Sequence, residues 1–591
     1  MTLPSSPIKP HTKPYDMASM QSNWLIVMGA FLLAAYMLFA HLGGLALISP
    51  DEGRNAEVAR EMSQSHAWLV PTYDGLVYLD KPAFYFKTVA LSFSLFGESE
   101  GVARLSSAVF GFLLVIAAFL FCRKMYDQRT AILATLIITS TPLYIAYSRI
   151  VIFDMTLAFF VSCAIFSCYL AEEYEGKQRA RWYFLGAIAA GFATLVKGPV
   201  GFIIPSLVII VFYAFEGQWQ PLKRVFAWRN WVIFFVIVLP WFIGLSLLRP
   251  DFPYYGIMRE SVARFTTTEF RRTAPFYYYA PIIGITFFAW SFLLPEAIVA
   301  AWKNRKKWSR TDRLLIIWAI VVVIFFSISQ SKLPNYILTA VMVLGILTAR
   351  LFALALNNNT GRAAHMIWRG TFPLFLLSAL AALVLFIVAF NPELLKSRLS
   401  VKSSLIDLFI PSILPMAVSF AVVALIAICA LWKRSAKLIF VAFISFPILL
   451  MTVNFDVLSL YAASRSTRNL ANSIPKSLPP TTELVCMMCL PPGLPFYTKR
   501  LVTVLTLNGE ELTSNYVIFT LNLGKPWPEG IVPISEWDHW ITKRQHPIYL
   551  MGDKALLSAL DMETIARDRG AKIEKLDATY WGILLLPSLG N

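Results

Sequence analysis

The chain has 591 residues, 57% of them hydrophobic and 15% charged, with a mean hydropathy of +0.61. Those values exclude an ordinary soluble domain and point to a polytopic α-helical membrane protein. The net charge of +17 would suggest nucleic acid in a soluble protein. Here it reads as the topology signal of membrane loops plus attraction to anionic lipid, so membrane lipids and not nucleic acid are the expected partners.

Apolar runs long enough for a helix to cross roughly 30 Å of hydrocarbon recur along the chain. About thirteen spans are expected, at 23–46, 102–121, 130–147, 154–171, 182–198, 200–215, 231–248, 279–301, 314–330, 336–352, 371–390, 409–431 and 437–455. The first run is too long for the core of a cleavable signal and reads as a retained anchor. Lys197-Gly198-Pro199 interrupts the fifth and sixth, which could form one long hairpin. If the N-terminus is cytoplasmic, the basic residues of the short loops (Arg123, Lys124 and Arg129; Lys177 to Arg181; Lys223 to Arg229; Lys303 to Arg313; Lys433 to Lys437) all fall inside. That orientation places 47–101, 249–278 and everything beyond 456 on the outer face. Two parts follow: a membrane region, 1–455, and a C-terminal region, 456–591.

The first outer loop, 47–101, is too long for a simple connection, and such loops are usually functional. Within it Glu52 to Ser63 predicts a short helix, Asp74-Gly75 a turn, and Lys81-Pro82 the start of a second helix over Phe84 to Phe96. Both helices are expected to lie along the membrane surface. The 249–278 loop carries Arg259, Arg264, Arg271 and Arg272 against the positive-inside trend. Arginines kept on the outer side suggest an anionic partner, since the planar guanidinium fork suits phosphate. Beyond 456, β-like runs at Glu483 to Met487, Leu501 to Leu505, Tyr516 to Leu521 and Tyr580 to Leu586, with a helical-looking 552–570, predict a small α/β domain on the outer face. It contains no nucleotide-phosphate loop. The six cysteines are too scattered for a disulfide framework. Cys486 and Cys489 have CxxC spacing without a second Cys or His pair, and read as structural or incidental.

The candidate chemistry gathers at the outer ends of the spans: Asp51 and Glu52, Lys81, Asp154, Lys197, Arg264, and Lys332 with Tyr336. A carboxylate near hydrocarbon costs roughly 2.5–3.5 kcal/mol at a helix centre, so an acidic residue held there is a functional candidate by default. Carboxylates beside several cations and tyrosines suit a transferase that deprotonates a hydroxyl while neutralising a phosphate leaving group. Asp51 is the candidate general base and Asp154 the second carboxylate, with exchangeable roles. Each also admits a helix-cap reading. Lys81, before Pro82, stands at a helix mouth that can bind anions, and Lys332 and Tyr336 in SKLPNYIL repeat the arrangement. Snorkelling and interface anchoring are the alternatives for these cations. Arg54 and Glu57 are placed to orient the carboxylates, or to form a surface pair.

The ordered set DEGRNAEVAREM, LDKP, SRIVIFDM, LVKGP and SKLPNYIL resembles the type C glycosyltransferases of the protein mannosyltransferase-like superfamily. The nearest branch is the bacterial aminoarabinose transferases that modify lipid A. The resemblance implies an undecaprenyl phosphate-linked sugar as donor, lipid A or a related envelope acceptor on the periplasmic face of the inner membrane, and inverting transfer. It carries the catalytic carboxylates onto Asp51 and Asp154, beside Glu52. It carries the lipid-phosphate contacts onto Lys81, Arg264 and Tyr336, with Tyr78, Arg54 and Lys332 nearby. One departure is ESVARF, with Ser261 where a histidine is common, and another is Gly53-Arg54-Asn55 where Ala-Arg-Tyr is common. A metal ligand and the exact sugar therefore do not carry over. No cofactor is required, because the carrier itself activates the sugar; a divalent metal is not indicated by the sequence, and metal dependence stays open. A monomer is expected. Protein O-glycosylation and lipid or sugar transport are the rival readings. Transport is disfavoured because the polar groups gather at one face and no internal repeat is visible.

Overall fold

The computed structural model describes residues 17–267, 272–303, 308–393, 403–524, 526–553, 564, 566–567 and 570–587. Among them, eight helices are long and apolar enough to cross a membrane, and three sharply bent pairs raise the number to eleven if each pair is one span. The chain is a polytopic helical membrane protein.

The breaks in the bent spans have local causes. Where one straight span is predicted over 130–147, Gln128–Thr139 and Pro142–Ser148 meet at 69°. Pro142 cannot continue the hydrogen-bond ladder, and the hydroxyls of Ser140 and Thr141 donate to the Ile137 carbonyl at 3.0 and 2.8 Å. The span predicted over 279–301 is broken more sharply, with Phe276–Thr286 and Trp290–Val299 at 112°. Trp290 at that corner is fully buried, stacks on Phe443 and donates its indole N–H to Ser140 Oγ at 3.1 Å, so the two breaks brace each other. Hydropathy alone does not reveal such corners, because both halves remain apolar. Gly176–Lys197 and Val200–Phe215 are separate helices. Gly198 between them has φ +74°, a left-handed value that most side chains resist.

The first outer loop contains the expected helices, Asp51–Ser65 and Phe84–Phe96, with the hairpin β1 (Thr72–Tyr73) and β2 (Leu76–Val77) turning at Asp74-Gly75. The first helix is enclosed by other parts of the protein. Ten of its residues, from Glu52 to Met62, are buried, between the helix Phe84–Phe96, the hairpin and the C-terminal region. A Cβ on Gly53 would come within 2.5 Å of Gly493 Cα, so only glycine permits this backbone contact.

The C-terminal region is built on a six-stranded sheet in the order β5-β4-β3-β6-β8-β7. The strands are β3 (Glu483–Met487), β4 (Val502–Thr506), β5 (Ile531–Pro533), β6 (Ile548–Asp553), β7 (Ile573–Lys575) and β8 (Tyr580–Leu585). Strands β5, β4, β3 and β6 are parallel, whereas β8 is antiparallel to both β6 and β7. The run Tyr516 to Leu521, predicted as a strand, lies instead in the helix Asn515–Asn522. Ser514 caps it by accepting the Val517 N–H, and a carboxylate from the first outer loop covers its first turn. The predicted helical stretch 552–570 begins with the end of β6, and most of the remainder lies outside the described residues. Cys486 and Cys489 are free thiols.

Candidate active site

Five polar groups proposed from the sequence, Lys81, Asp154, Lys197, Arg264 and Tyr336, line one cavity of about 470 Å³. Its remaining wall is largely apolar, from Leu157, Val161, Ile203, Ile204, Phe265, Phe325 and Phe326 among others. Three cations face two carboxylates, Asp154 and Glu260, which leaves one positive charge in excess. Such a cavity is charged at its polar end and oily along its length, the chemistry of a phosphate attached to a long hydrocarbon.

Each group reaches the cavity from a helix start or end. Asp154 opens the helix Asp154–Ala171 and is 3% exposed. Its Oδ1 accepts from Lys197 Nζ at 2.5 Å, and its buried Oδ2 accepts no hydrogen bond. Lys197 ends its own helix, and its ammonium lies 5.1 Å from the Phe153 ring centroid and 4.7 Å from that of Tyr336. Lys81 donates to Glu260 Oε2 at 2.7 Å and to the Asp80 carbonyl. Burial, then the Arg264 charge, pushes the Lys81 ammonium down to about 8 against the opposing pull of Glu260. Glu260 also pairs with Arg264 at 3.2 Å, across a π-helix over Tyr254–Ala263. Its wider i→i+5 turn, a form frequent at functional sites, brings Ser261 Oγ to the Gly256 carbonyl at 2.9 Å.

Asp51 and Arg54 form a second polar cluster outside the cavity lining. The Asp51 side chain is 48% exposed and pairs with Arg54, which is 15% exposed. Arg54 also donates to the Thr513 carbonyl at 3.0 Å and lies 5.8 Å from the centroid of the buried Tyr78 ring. Burial alone would lower the Arg54 guanidinium, but Tyr78, Asp51 and Asp80 around it hold it protonated, above its ordinary range. Burial raises the Tyr78 phenol.

Glu52 does not join either cluster. It is 2% exposed and its two oxygens accept from Arg104 Nε and Nη2, both at 2.8 Å, and from the backbone N–H groups of Ile48 and Val151, both at 2.9 Å. With its acceptor sites so occupied, this carboxylate is a staple. Glu57 likewise is fully buried and chelated by Arg60, not by Arg54. Lys332 turns away from the cavity and donates to the Ser329 carbonyl at 2.6 Å. Arg259 lies over the Phe519 ring, and Arg271 falls outside the described residues.

Sequence reasoning gave no role to Glu260, Asp80, Arg104 or Asn515, all of which shape this region. Glu260 and Asp80 stood in view beside Arg264 and Lys81. An acidic residue next to an outer-face cation was the available signal. Arg104 is masked by its apolar helix, and Asn515 is an ordinary polar residue some 435 positions from the group it contacts.

Comparison with known proteins places these motifs. The dolichyl-phosphate-mannose-protein mannosyltransferase family matches residues 25–255. An undecaprenyl phosphate-α-4-amino-4-deoxy-L-arabinose arabinosyl transferase of Proteus mirabilis is 32% identical over 56% of this chain and 60% of its own length. The enzyme of that name from Aeromonas salmonicida is 32% identical over 60% of this chain and 65% of its own. The crystal structure of ArnT from Cupriavidus metallidurans bound to undecaprenyl phosphate superposes with a TM-score of 0.80 at 24% identity, covering 96% of this chain and 99% of that one. The chain is similar to the bacterial aminoarabinose transferases and has their fold. The apo form of the Cupriavidus protein gives a TM-score of 0.78. The sequence alignments span under two thirds of the two arabinosyl transferases. The fold shared with the Cupriavidus protein agrees with the resemblance carried by the motifs.

Proposed function

We propose that the chain is an inverting glycosyltransferase that moves a sugar, aminoarabinose-like or another pentose or hexose, from undecaprenyl phosphate to lipid A or a related envelope acceptor. The observation that carries this reading is the cavity holding Lys81, Lys197 and Arg264 at the polar end of an apolar wall. It suits a polyprenyl phosphate, and the Cupriavidus protein of the same fold is the one bound to undecaprenyl phosphate. The names of the Proteus and Aeromonas arabinosyl transferases contain the corresponding donor.

On this reading the cations bind the phosphate and neutralise the charge that develops as the sugar C1–O bond breaks. Tyr336 borders the same pocket. Asp154 offers its unpartnered oxygen to a sugar hydroxyl or ammonium group, while Lys197 holds the other oxygen. Asp51, the more exposed carboxylate, takes the proton from the acceptor oxygen as that oxygen attacks C1. Polyprenyl phosphate then leaves from the opposite face. Glu52 supports Asp51 by fixing the helix both residues open. Tyr78 and Arg54 orient Asp51, and Lys332 braces the strap that carries Tyr336. The lipid carrier supplies the activation, so the proposal includes no cofactor.

The topology belongs to the same proposal: about thirteen spans in the inner membrane, a cytoplasmic N-terminus, a membrane region over 1–455 and a periplasmic α/β region over 456–591, acting as a monomer. The loop basic residues support that orientation. Asp51→Asn in the full chain should bind undecaprenyl phosphate with unchanged affinity and melt at the same temperature, yet lose transfer by about a hundredfold or more. Full activity in that variant would remove the base assignment.

A further inference from the structure

The C-terminal region reaches into the donor-phosphate site through the first turn of the helix Asn515–Asn522. Asn515 Nδ2 donates to Glu260 Oε1 at 2.9 Å, and Glu260 in turn accepts from Lys81 and Arg264. The backbone N–H groups of Asn515 and Tyr516 both donate to the Asp80 carboxylate, at 2.9 Å each, next in sequence to Lys81. A carboxylate over the first turn of a helix is held by directed N–H groups and by the helix dipole. The Tyr255 hydroxyl donates to the same Asp80 at 2.7 Å, and Tyr516 donates to Asp251 at 2.8 Å. Ring contacts close the seam, with Tyr255 5.1 Å from Tyr516 and Arg259 5.3 Å above Phe519.

Both cations of this end of the cavity converge on one carboxylate, 8% exposed, whose position decides where they point. Glu260 lies on a π-helix, whose hydrogen bonding does not by itself fix a side chain. Of the groups on Glu260, Lys81 and Arg264 are those that must answer to an incoming phosphate. Asn515 is not among the groups lining the cavity, so its amide can hold Glu260 whether or not a phosphate is present.

We propose that Asn515 is a positioning residue: it holds Glu260, and through it Lys81 and Arg264, in the geometry that receives the donor phosphate, so the C-terminal region is part of the donor site. This rests on the phosphate-binding reading above. Glu260 is a shared brace, and Asp80 at the helix start sets the distance between the C-terminal region and Lys81.

The test uses the full-length protein in nanodiscs, with undecaprenyl phosphate as the binding probe and steady-state transfer as the second readout. Asn515→Ala should weaken undecaprenyl phosphate binding and raise the donor KM by about tenfold, the loss of one hydrogen bond to a charged group, with kcat held within about twofold. Asn515→Asp, which sets a second carboxylate against Glu260 in the same volume, should weaken binding further and serves if the alanine variant does not fold. Lys81→Ala is the reference. If it binds undecaprenyl phosphate as tightly as the parent, the phosphate-site reading itself fails. If Lys81→Ala loses binding while both Asn515 variants keep the parent affinity and KM, the positioning role alone is overturned. A fall in kcat with KM unchanged would also overturn it.

Discussion

Two neighbouring carboxylates show how far residue type underdetermines role. Asp51 and Glu52 have the same chemistry and adjacent positions, but the helix they open turns one outward and the other into the protein. Asp51 keeps a half-exposed carboxylate beside Arg54, whereas Glu52 is consumed by four donors. A sequence carries no sign of that difference, because it depends on Arg104 arriving from another helix. Lys81, Asp154, Arg264 and Tyr336 were legible for the opposite reason. Each is a polar residue kept at a span end where hydrocarbon penalises it, and together they line the cavity. Lys81 gives this scale its pH signature. Its ammonium titrates near 8 in the free protein, lowered first by burial and then by Arg264. A phosphate needs the protonated form, so kcat/KM for the donor should be level below that pH and fall as pH rises through about 8. Lys81→Arg, with a guanidinium that does not titrate there, should remove that descending limb from the pH–rate profile. A limb that persists unchanged would assign the titration to another group.

At the scale of elements, local pattern succeeded where a segment is stabilised by its own sequence. The helix Phe84–Phe96 matches its expected bounds, and β3, β4 and β8 fall within a residue of theirs. It failed for Tyr516 to Leu521, whose apolar and β-favouring residues suit a strand. A Ser514 cap and two N–H groups satisfied by Asp80 stabilise the helix instead, and Asp80 lies in a distant loop. The corners at Ser140 and Trp290 were missed similarly, since the contact that braces them joins two spans. Arg104 and Glu52 form the strongest such join. The guanidinium also donates to the carbonyls of Leu42, Leu45 and Ala46, tying the exit of the first span to the helices at 51–65 and 100–125. Glu52→Gln leaves a buried guanidinium without its counter-charge and should destabilise the protein by about 3–5 kcal/mol. Thermal unfolding in detergent should record a clear loss, with the residual folded protein still binding donor. Unchanged unfolding together with lost transfer would return Glu52 to the catalytic set.

Over the whole molecule, the polar site lies where three separately legible parts meet: the first outer loop, the 249–278 loop and the C-terminal region. Hydropathy identifies the membrane part and alternation identifies much of the sheet, yet neither shows that the helix at 515–522 seats against the π-helix at 254–263. Through that docking the C-terminal region borders the proposed donor site. It also packs over the helix at 51–65 and encloses it, with Gly53 and Gly493 in backbone contact.

Transfer of a lipid-linked sugar onto an envelope acceptor is tested most directly by mass spectrometry of lipid A and extracted envelope glycans from matched cells with and without the chain. A lipid A species heavier by one sugar residue should occur only in cells that contain the chain, and should disappear with Asp51→Asn. Lipid A of unchanged mass beside newly glycosylated protein would contradict the lipid acceptor, and no glycan change at all under confirmed expression would contradict the transferase reading.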